Sequence, residues 1–265
     1  MAGGSSEPGR SVTSKVLAIL EVFEMQLRPL SQGQIVELTG LPQSTAHRLL
    51  SELVAWGALS RDDNGRYQVG MRLWELGQHA GRQLRDISRP FIQDLHSLTR
   101  ETAQLAIRDG SDALYIERVY SSKRVPRASR VGGRLPLHAT AVGKVLLAYE
   151  EDWVREALFR QGLHAVSPHT HVDPARLRDE LVTVKEQGFA TAAEEVRAGV
   201  CSIAVPVFHR DGPVGAGLGL VMASASSGNM TRHLPTLRGV SRQIELATAH
   251  VPLSTILRVM TPGGA

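Results

Sequence analysis

Ser44, His47, Arg48 and Ser51 fall on one side of a single helical stretch, and they are residue types that can read the edge of a base pair. In LSQGQIVELTGLPQSTAHRLLSELV (30–54), Ala46, Leu49, Leu50 and Leu53 recur at the spacing of a buried helical face. At about 100° per residue the opposite face presents Ser44, Arg48 and Ser51, with His47 on its flank and Gln43 and Thr45 at the helix start. Small hydroxyls permit close approach to a DNA major groove, and a guanidinium offers a bidentate fork to guanine. A helical hairpin with a polar outer face has the same pattern, so the flanking elements must decide.

Those flanks are specific. Ser31 with Gln34 forms a capping box that starts a helix with Ile35 and Leu38 on its apolar face. Gly40 suits the left-handed turn that ends it, and Pro42 suits the first turn of the next helix. Upstream, SVTSKVLAILEVF (11–23) places Val12, Val16, Ile19, Leu20 and Phe23 on one stripe and predicts a first helix. Downstream, Leu59–Arg61 and Arg66–Val69 read as short strands around Asn64-Gly65, a strong hairpin signal. Three helices and a hairpin make a winged helix, with Arg61 and Arg66 flanking the wing tip where they would meet phosphates or a minor groove.

Composition narrows the partners. The chain has 265 residues and a formal charge of +4, yet residues 1–88 hold nine basic and nine acidic side chains, so the whole excess lies beyond them. A neutral reading head leans on few phosphate contacts, and charge placement rather than net charge must carry any DNA affinity. One cysteine, Cys201, excludes an internal disulfide and suits a reducing cytoplasm. No apolar run approaches the roughly 20 residues of a membrane span, and MAGGSSEPGR does not read as a signal peptide.

The remaining chain divides as a Gly/Ser-rich, disordered tail at 1–10, the winged helix-turn-helix at 11–70, and a linking helix at 71–88. A second domain follows at 89–250 and a tail at 251–265, with the boundary expected near Ser88-Arg89-Pro90. In the second domain, strands are predicted at 103–107 and 113–119 around Asp109-Gly110, then at 189–194, 202–208 and 214–221. Helices are predicted over 142–149, 153–161, 174–187 (capped by Asp173) and 235–250. Hairpins outnumber βαβ units, so the fold is α+β around an antiparallel sheet.

GGRLPLHATAVGK fails the phosphate-loop pattern, because His138 stands where the first Gly belongs and Val145 follows Lys144. His164, His169 and His171 have spacing that can ligate a metal, but a Ser/Pro/Thr-rich loop favours solvated histidines, so no metal and no cofactor are expected. There is no G-x-S-x-G, no H-E-x-x-H, and no cysteine with a placed base beside it. Glu194-Glu195 reads as structural or pocket rim, since neighbouring strand residues face opposite ways. Arg118, Lys123, Arg124, Arg127, Arg130 and Arg134 form a basic run that reads as a solvated loop, or as contacts to an anionic ligand or DNA.

STAHRLLSEL, LPLHATAVGK and GFATAAEEVRAGVCSIAVPVFHRDG together resemble the IclR family of bacterial transcription regulators, over residues 11 to about 249. The resemblance implies a winged helix-turn-helix joined by a linker helix to a GAF-like α/β effector domain with an antiparallel sheet. It implies dimers that pair into tetramers on palindromic double-stranded operators, and a repressor of a catabolic or metabolic operon whose affinity a small molecule alters. It also places Leu135, Ala141, Val142, Ala192, Val200 and Ser202 at effector positions. Two departures matter: where the family has Asp or Ser this chain has Ala192, and where it often has Cys the chain has Ser202, with Cys201 one place earlier. Ala192 offers no hydrogen bond, so an aromatic or larger organic acid is expected rather than a two-carbon acid. The rival reading is a metabolite-binding scaffold that uses its winged helix for protein contacts.

Overall fold

The computed structural model describes residues 10–26, 28–77, 82–121, 130–210 and 212–251, which fall into two compact units divided at Ala80/Gly81. The first unit opens with α1 (Val12–Met25), capped by Ser11, whose Oγ accepts from the Ser14 N–H at 3.0 Å. α2 (Gln32–Thr39) carries the reciprocal cap, Gln34 N–H to Ser31 Oγ at 3.3 Å and Ser31 N–H to Gln34 Oε1 at 3.0 Å, and ends at Gly40 with φ 67°. Ile35 is buried, but Leu38 is 53% exposed, so α2 buries a narrower stripe than its apolar spacing suggested. α3 (Gln43–Trp56) starts one residue after Pro42, which stands in extended conformation as the cap rather than inside the first turn.

Strands β1 (Leu59–Arg61) and β2 (Tyr67–Val69) pair antiparallel as the wing. Their turn is longer than a two-residue Asn-Gly hairpin. Asp62 O accepts from the Gly65 N–H at 2.9 Å, and its side chain accepts from Asn64 N–H and Arg66 N–H, so only Gly65 needs positive φ. Leu30 exchanges backbone hydrogen bonds with Tyr67, tying the wing to the start of α2. Ile19, Leu30, Ile35, Leu49, Leu50 and Tyr67 form the centre of this unit's core. α4 (Met71–Gly77) closes the described part.

Of the linking helix expected at 71–88, the described residues show helix at 71–77 and from 82 onward, past the expected end at 88. α5 (Arg82–Thr99) belongs to the second unit and runs through Pro90 without a break, and residues 78–81 lie outside the described set. Proline inside a helix removes a hydrogen bond and costs about 3 kcal/mol. Here Leu84, Ser88, Ile92 and Leu95 are buried at helical spacing on both sides of it, and that packing holds the helix together. The tails predicted at 1–10 and 251–265 fall almost entirely outside the described residues; Arg10 is exposed and Val251 is buried.

The second unit is built on a six-stranded antiparallel sheet, β5-β4-β3-β8-β7-β6. Its strands are β3 (Thr102–Asp109), β4 (Asp112–Val119), β5 (Arg134–Pro136), β6 (Ala190–Ala193), β7 (Val200–Phe208) and β8 (Val214–Ala223). α5 and α9 (Leu234–Thr248) cover one face, where Leu105, Ile203, Leu218 and Ile244 meet. α6 (Ala141–Ala148), α7 (Asp152–Gln161) and α8 (Pro174–Gln187) build the core on the other face, with Val142, Val145, Leu177 and Ala204. Asp173 caps α8 through the Ala175 N–H at 2.9 Å. Both units have the expected α+β architecture: a winged helix-turn-helix, and an α/β domain on an antiparallel sheet.

Candidate nucleic-acid surface and ligand cleft

On α3 the buried stripe leaves Gln43, Ser44, His47, Arg48 and Ser51 exposed and Thr45 half-buried, so all six stand on or beside the outer face. Ser51 Oγ donates to the His47 carbonyl at 2.9 Å, which turns that hydroxyl back along the helix. Arg48 Nη1 lies 2.9 Å from Glu52 Oε1, with the two side chains 60% and 61% exposed. An exposed i,i+4 pair stabilises by only about 0.3–0.5 kcal/mol, so the guanidinium is readily released to another partner. On the wing, Arg61 donates to Tyr67 Oη at 2.6 Å and lies 4.8 Å from that ring's centroid, which holds it along the hairpin. Arg66 is exposed beside Gly65 at the tip.

The second site lies on the α6 face of the large sheet. Gly217 and Gly219 on β8 let α6 sit flush: an added Cβ would lie 3.1 Å from Val142 O at Gly217 and 2.9 Å from Val142 Cγ1 at Gly219. Beside Thr140, at the N-terminal end of that helix, a narrow cleft lies over largely buried sheet residues. Register aligns Arg118 with Gln104 across β4 and β3, and Val221 with Ser202 and Ser202 with Ala192 across β8, β7 and β6. These residues, with Leu135, Val200, Tyr115 and the 195–197 loop, line the cleft, whose cavity volume is about 30 Å³, well below the size of small-molecule sites, so a ligand larger than water requires the cleft to widen.

Of the six expected effector positions, Leu135, Ala192, Val200 and Ser202 line this cleft. Ala141 and Val142 are not among its lining residues. They form the first turn of α6 and are buried to 1% and 0%, Ala141 in the core and Val142 seated against β8. Cys201 faces the opposite core, where its Sγ donates to Ala223 O at 3.2 Å and burial pushes the thiol up to about 11.

Of the polar groups of the cleft, Gln104 carries no signal in the sequence, whereas Arg118 belongs to the basic run that reads as a solvated loop or as contacts to an anionic ligand or DNA. Arg118 is 7% exposed, and its Nη1 donates to Gln104 Oε1 at 3.0 Å. Simple alternation puts residues 115 and 118 on opposite faces. A bulge, in which Ile116 has no partner between the Leu105–Glu117 and Ala106–Tyr115 pairs, resets the parity and brings Arg118 to the side of Tyr115. The rest of the basic run scatters: Arg134 pairs with Asp109 at 2.8 Å, Arg130 is exposed, and Lys123, Arg124 and Arg127 lie outside the described residues.

Behind the cleft wall sits a buried charge cluster. Lys144, 0% exposed, places Nζ 2.6 Å from Glu195 Oε1 and 2.7 Å from Glu180 Oε1. A lone Lys in the otherwise apolar AVGKVLLA was the available signal, since a buried ammonium requires a partner. Glu194 and Glu195 are not strand neighbours as expected. β6 ends at Ala193, Glu194 takes φ 60°, and Glu195 turns inward. Burial pushes the Glu195 carboxyl above its usual range, although the Lys144 ammonium pulls the other way.

The histidines do not gather. His138 is 2% exposed with Nε2 3.0 Å from His164 O, and burial holds its imidazole below its ordinary pKa. His169 is exposed, and His171 Nδ1 lies 3.3 Å from Glu180 Oε2. Among the described residues, His171, Glu180 and Glu195 bring ligand-type atoms within 4.8 Å of one another, but the Lys144 ammonium already supplies the positive charge there.

A winged helix with a polar reading face and a separate sheet domain holding a cation-lined cleft define a DNA-binding regulator with a sensor domain. The IclR helix-turn-helix domain matches residues 12–63, and the domain described as bacterial transcriptional regulator IclR C-terminal matches residues 79–246. The chain belongs to the IclR family and is a DNA-binding transcription regulator. It is 35% identical over 210 residues to the HTH-type transcriptional regulator XynR of Escherichia coli, covering 78% of this chain and 83% of that one. It is 31% identical over 203 residues to the transcriptional repressor IclR of Escherichia coli, covering 74% of each. An IclR homologue from Microbacterium hydrocarbonoxydans, solved in complex with 4-hydroxybenzoate, superposes with a TM-score of 0.84 at 31% identity, covering 91% of this chain and all of that one. Among the described residues no helix is long and apolar enough to cross a membrane.

Proposed function

We propose that this regulator is a cytoplasmic repressor, not an enzyme, of a catabolic or metabolic operon, released or strengthened on its operator by a small aromatic carboxylate held in the sheet cleft. Ser44, His47, Arg48 and Ser51 would read the major groove, with Gln43 and Thr45 at the helix start, while Arg61 and Arg66 anchor the wing to the backbone. A homodimer, paired into a tetramer, would place two reading helices on a palindromic duplex, and ligand binding would bias that geometry.

The observation that carries the ligand class is the lining of the cleft. A buried guanidinium, Arg118, hydrogen-bonded to Gln104, lines the cleft together with Ser202, while Leu135, Ala192, Val200 and Val221 supply apolar wall. A carboxylate suits the guanidinium, and a ring suits the apolar wall better than a two-carbon acid does. The homologue solved with 4-hydroxybenzoate supports the same class. Calorimetry of the full chain against benzoates, glyoxylate and pyruvate tests it: micromolar binding of a benzoate is expected, and micromolar binding of glyoxylate or pyruvate instead overturns it.

A further inference from the structure

A cleft with room only for water admits a ligand only if one of its walls gives way. Its floor is hydrogen-bonded sheet, and Ala139 and Thr140 belong to the tight seat of α6, where a Cβ on Gly143 would lie 2.2 Å from Leu137 O. The remaining wall, residues 195–197, lies in neither strand nor helix. It is part of the loop from Glu194 to Gly199 that joins β6 to β7. The loop is closed at its base, because Glu194 N–H donates to Val200 O at 2.7 Å and Gly199 N–H donates to Glu194 Oε1 at 2.8 Å. Two hydroxyls from outside fix its position: Ser167 Oγ donates to Glu194 O at 2.7 Å, and Thr170 Oγ1 donates to Glu195 O at 2.6 Å. Each hydroxyl has one proton and gives it to the loop, while accepting from N–H groups of its own segment, Val166 and Ser167 at Thr170 and His169 at Ser167. Bonds this short on main-chain carbonyls tolerate no shift of the 194–195 backbone in either direction. The Lys144–Glu195 ion pair is a looser anchor, since flexible side chains at both ends let the charges stay together while the main chain moves.

We propose that Ser167 and Thr170 latch the 194–199 loop shut, and that ligand binds only when the latch has released and the loop has left the cleft. The proposal rests on the reading of the cleft as the ligand site and names what regulates entry to it. A ligand in the widened cleft and a latched loop exclude each other. The latch therefore stabilises the empty state alone, and affinity is reduced by the small fraction of chains in which it is open. Weakening the latch raises that fraction, so deleting a hydrogen bond that no ligand touches should tighten binding. A hydrogen bond of ordinary net strength corresponds to a population change of about two- to tenfold.

Two measurements on the full-length chain test it. Trypsin cleavage after Arg197, which is exposed in the loop, requires the loop to leave its seat and so follows the open population. Ser167→Ala should speed that cleavage about two- to tenfold, with cleavage elsewhere in the second unit unchanged. Calorimetry with benzoate and ring-substituted benzoates should then give a Kd lower by the same factor. Thr170→Val also strips the acceptor from the Val166 and Ser167 N–H groups and should move both readouts further. Ser167→Ala, at a half-buried position, decides the matter if Thr170→Val folds poorly. Thr183→Val, which removes a hydroxyl bonded within α8 to Asp179 O, should leave both readouts unchanged. Unchanged cleavage in Ser167→Ala overturns the latch whatever ligand binds. Faster cleavage with benzoate affinity unchanged or weakened overturns the gate and assigns the widening to side chains of the cleft. Should no benzoate bind the unaltered chain or the variants, the aromatic-carboxylate reading fails by itself, and the cleavage rates still decide the latch.

Discussion

Two ion pairs of similar length sit in opposite surroundings. Arg48–Glu52 on the reading helix spans 2.9 Å with its side chains 60% and 61% exposed, whereas Lys144–Glu195 behind the cleft spans 2.6 Å with side chains 0% and 4% exposed. The first is weak because water screens it, and that weakness leaves a guanidinium available for a base or phosphate. The second is strong only as a pair, because removing either partner strands a charge in the interior. A reading surface keeps its charges loosely held, while a ligand cleft fixes its charges before the ligand arrives.

The sharpest break of this contrast is Lys144→Met. It leaves Glu195 and Glu180 facing each other without their cation, and the second unit should lose about 3–5 kcal/mol. Breaking the exposed pair with Glu52→Gln should cost less than about 0.5 kcal/mol. Urea denaturation of both variants checks the ratio; equal losses contradict the contrast. Next in size is Arg118→Met, which should weaken benzoate binding about a hundredfold, since it removes the buried cation facing the carboxylate. Ligand-free affinity for the operator should be unchanged, as read by calorimetry and gel shift on the same preparation.

Arg48→Ala should cost about 1–3 kcal/mol on the specific site and relax sequence preference at one position. An equal loss on operator and random duplex would instead make Arg48 a phosphate contact. The smallest effect is on pH dependence. Burial lowers the His138 pKa below its ordinary 6.5, so the unfolded chain takes up that proton first. The contribution is therefore intact above about 6.5 and is lost as pH falls below it. Between pH 7.5 and 5.5 the Tm of the unaltered chain should fall more than that of His138→Gln, and parallel falls would remove His138 from the account.

The two regions also differ in how far the sequence reveals them. The reading helix follows one period, so Ala46, Leu49, Leu50 and Leu53 locate the buried side and, by subtraction, the exposed residues. Cap residues Ser31 and Asp173 act locally and were legible for the same reason. The cleft depends on facts that no local pattern holds. Arg118 reaches it through a bulge that breaks strand alternation, Glu195 through a strand that stops early, and Gln104 through pairing with β4. The family resemblance supplied Leu135, Ala192, Val200 and Ser202, but it also suggested Ala141, buried in the core, and Val142, which packs on Gly217 and Gly219. Pro90 misled in the other direction: a local helix breaker is carried by burial on both of its sides.

The most direct test of a reading head under ligand control is fluorescence anisotropy of the full chain on DNA from upstream of its own gene and on a scrambled duplex. Both duplexes are run at two salt concentrations, with and without the benzoate series. The account predicts a preference of at least about a hundredfold for the native duplex, with specific binding normally exceeding non-specific by a thousandfold or more. It also predicts that a benzoate of the series shifts the native-duplex affinity alone. Equal, salt-weakened binding to both duplexes, unmoved by any aromatic acid, would contradict it.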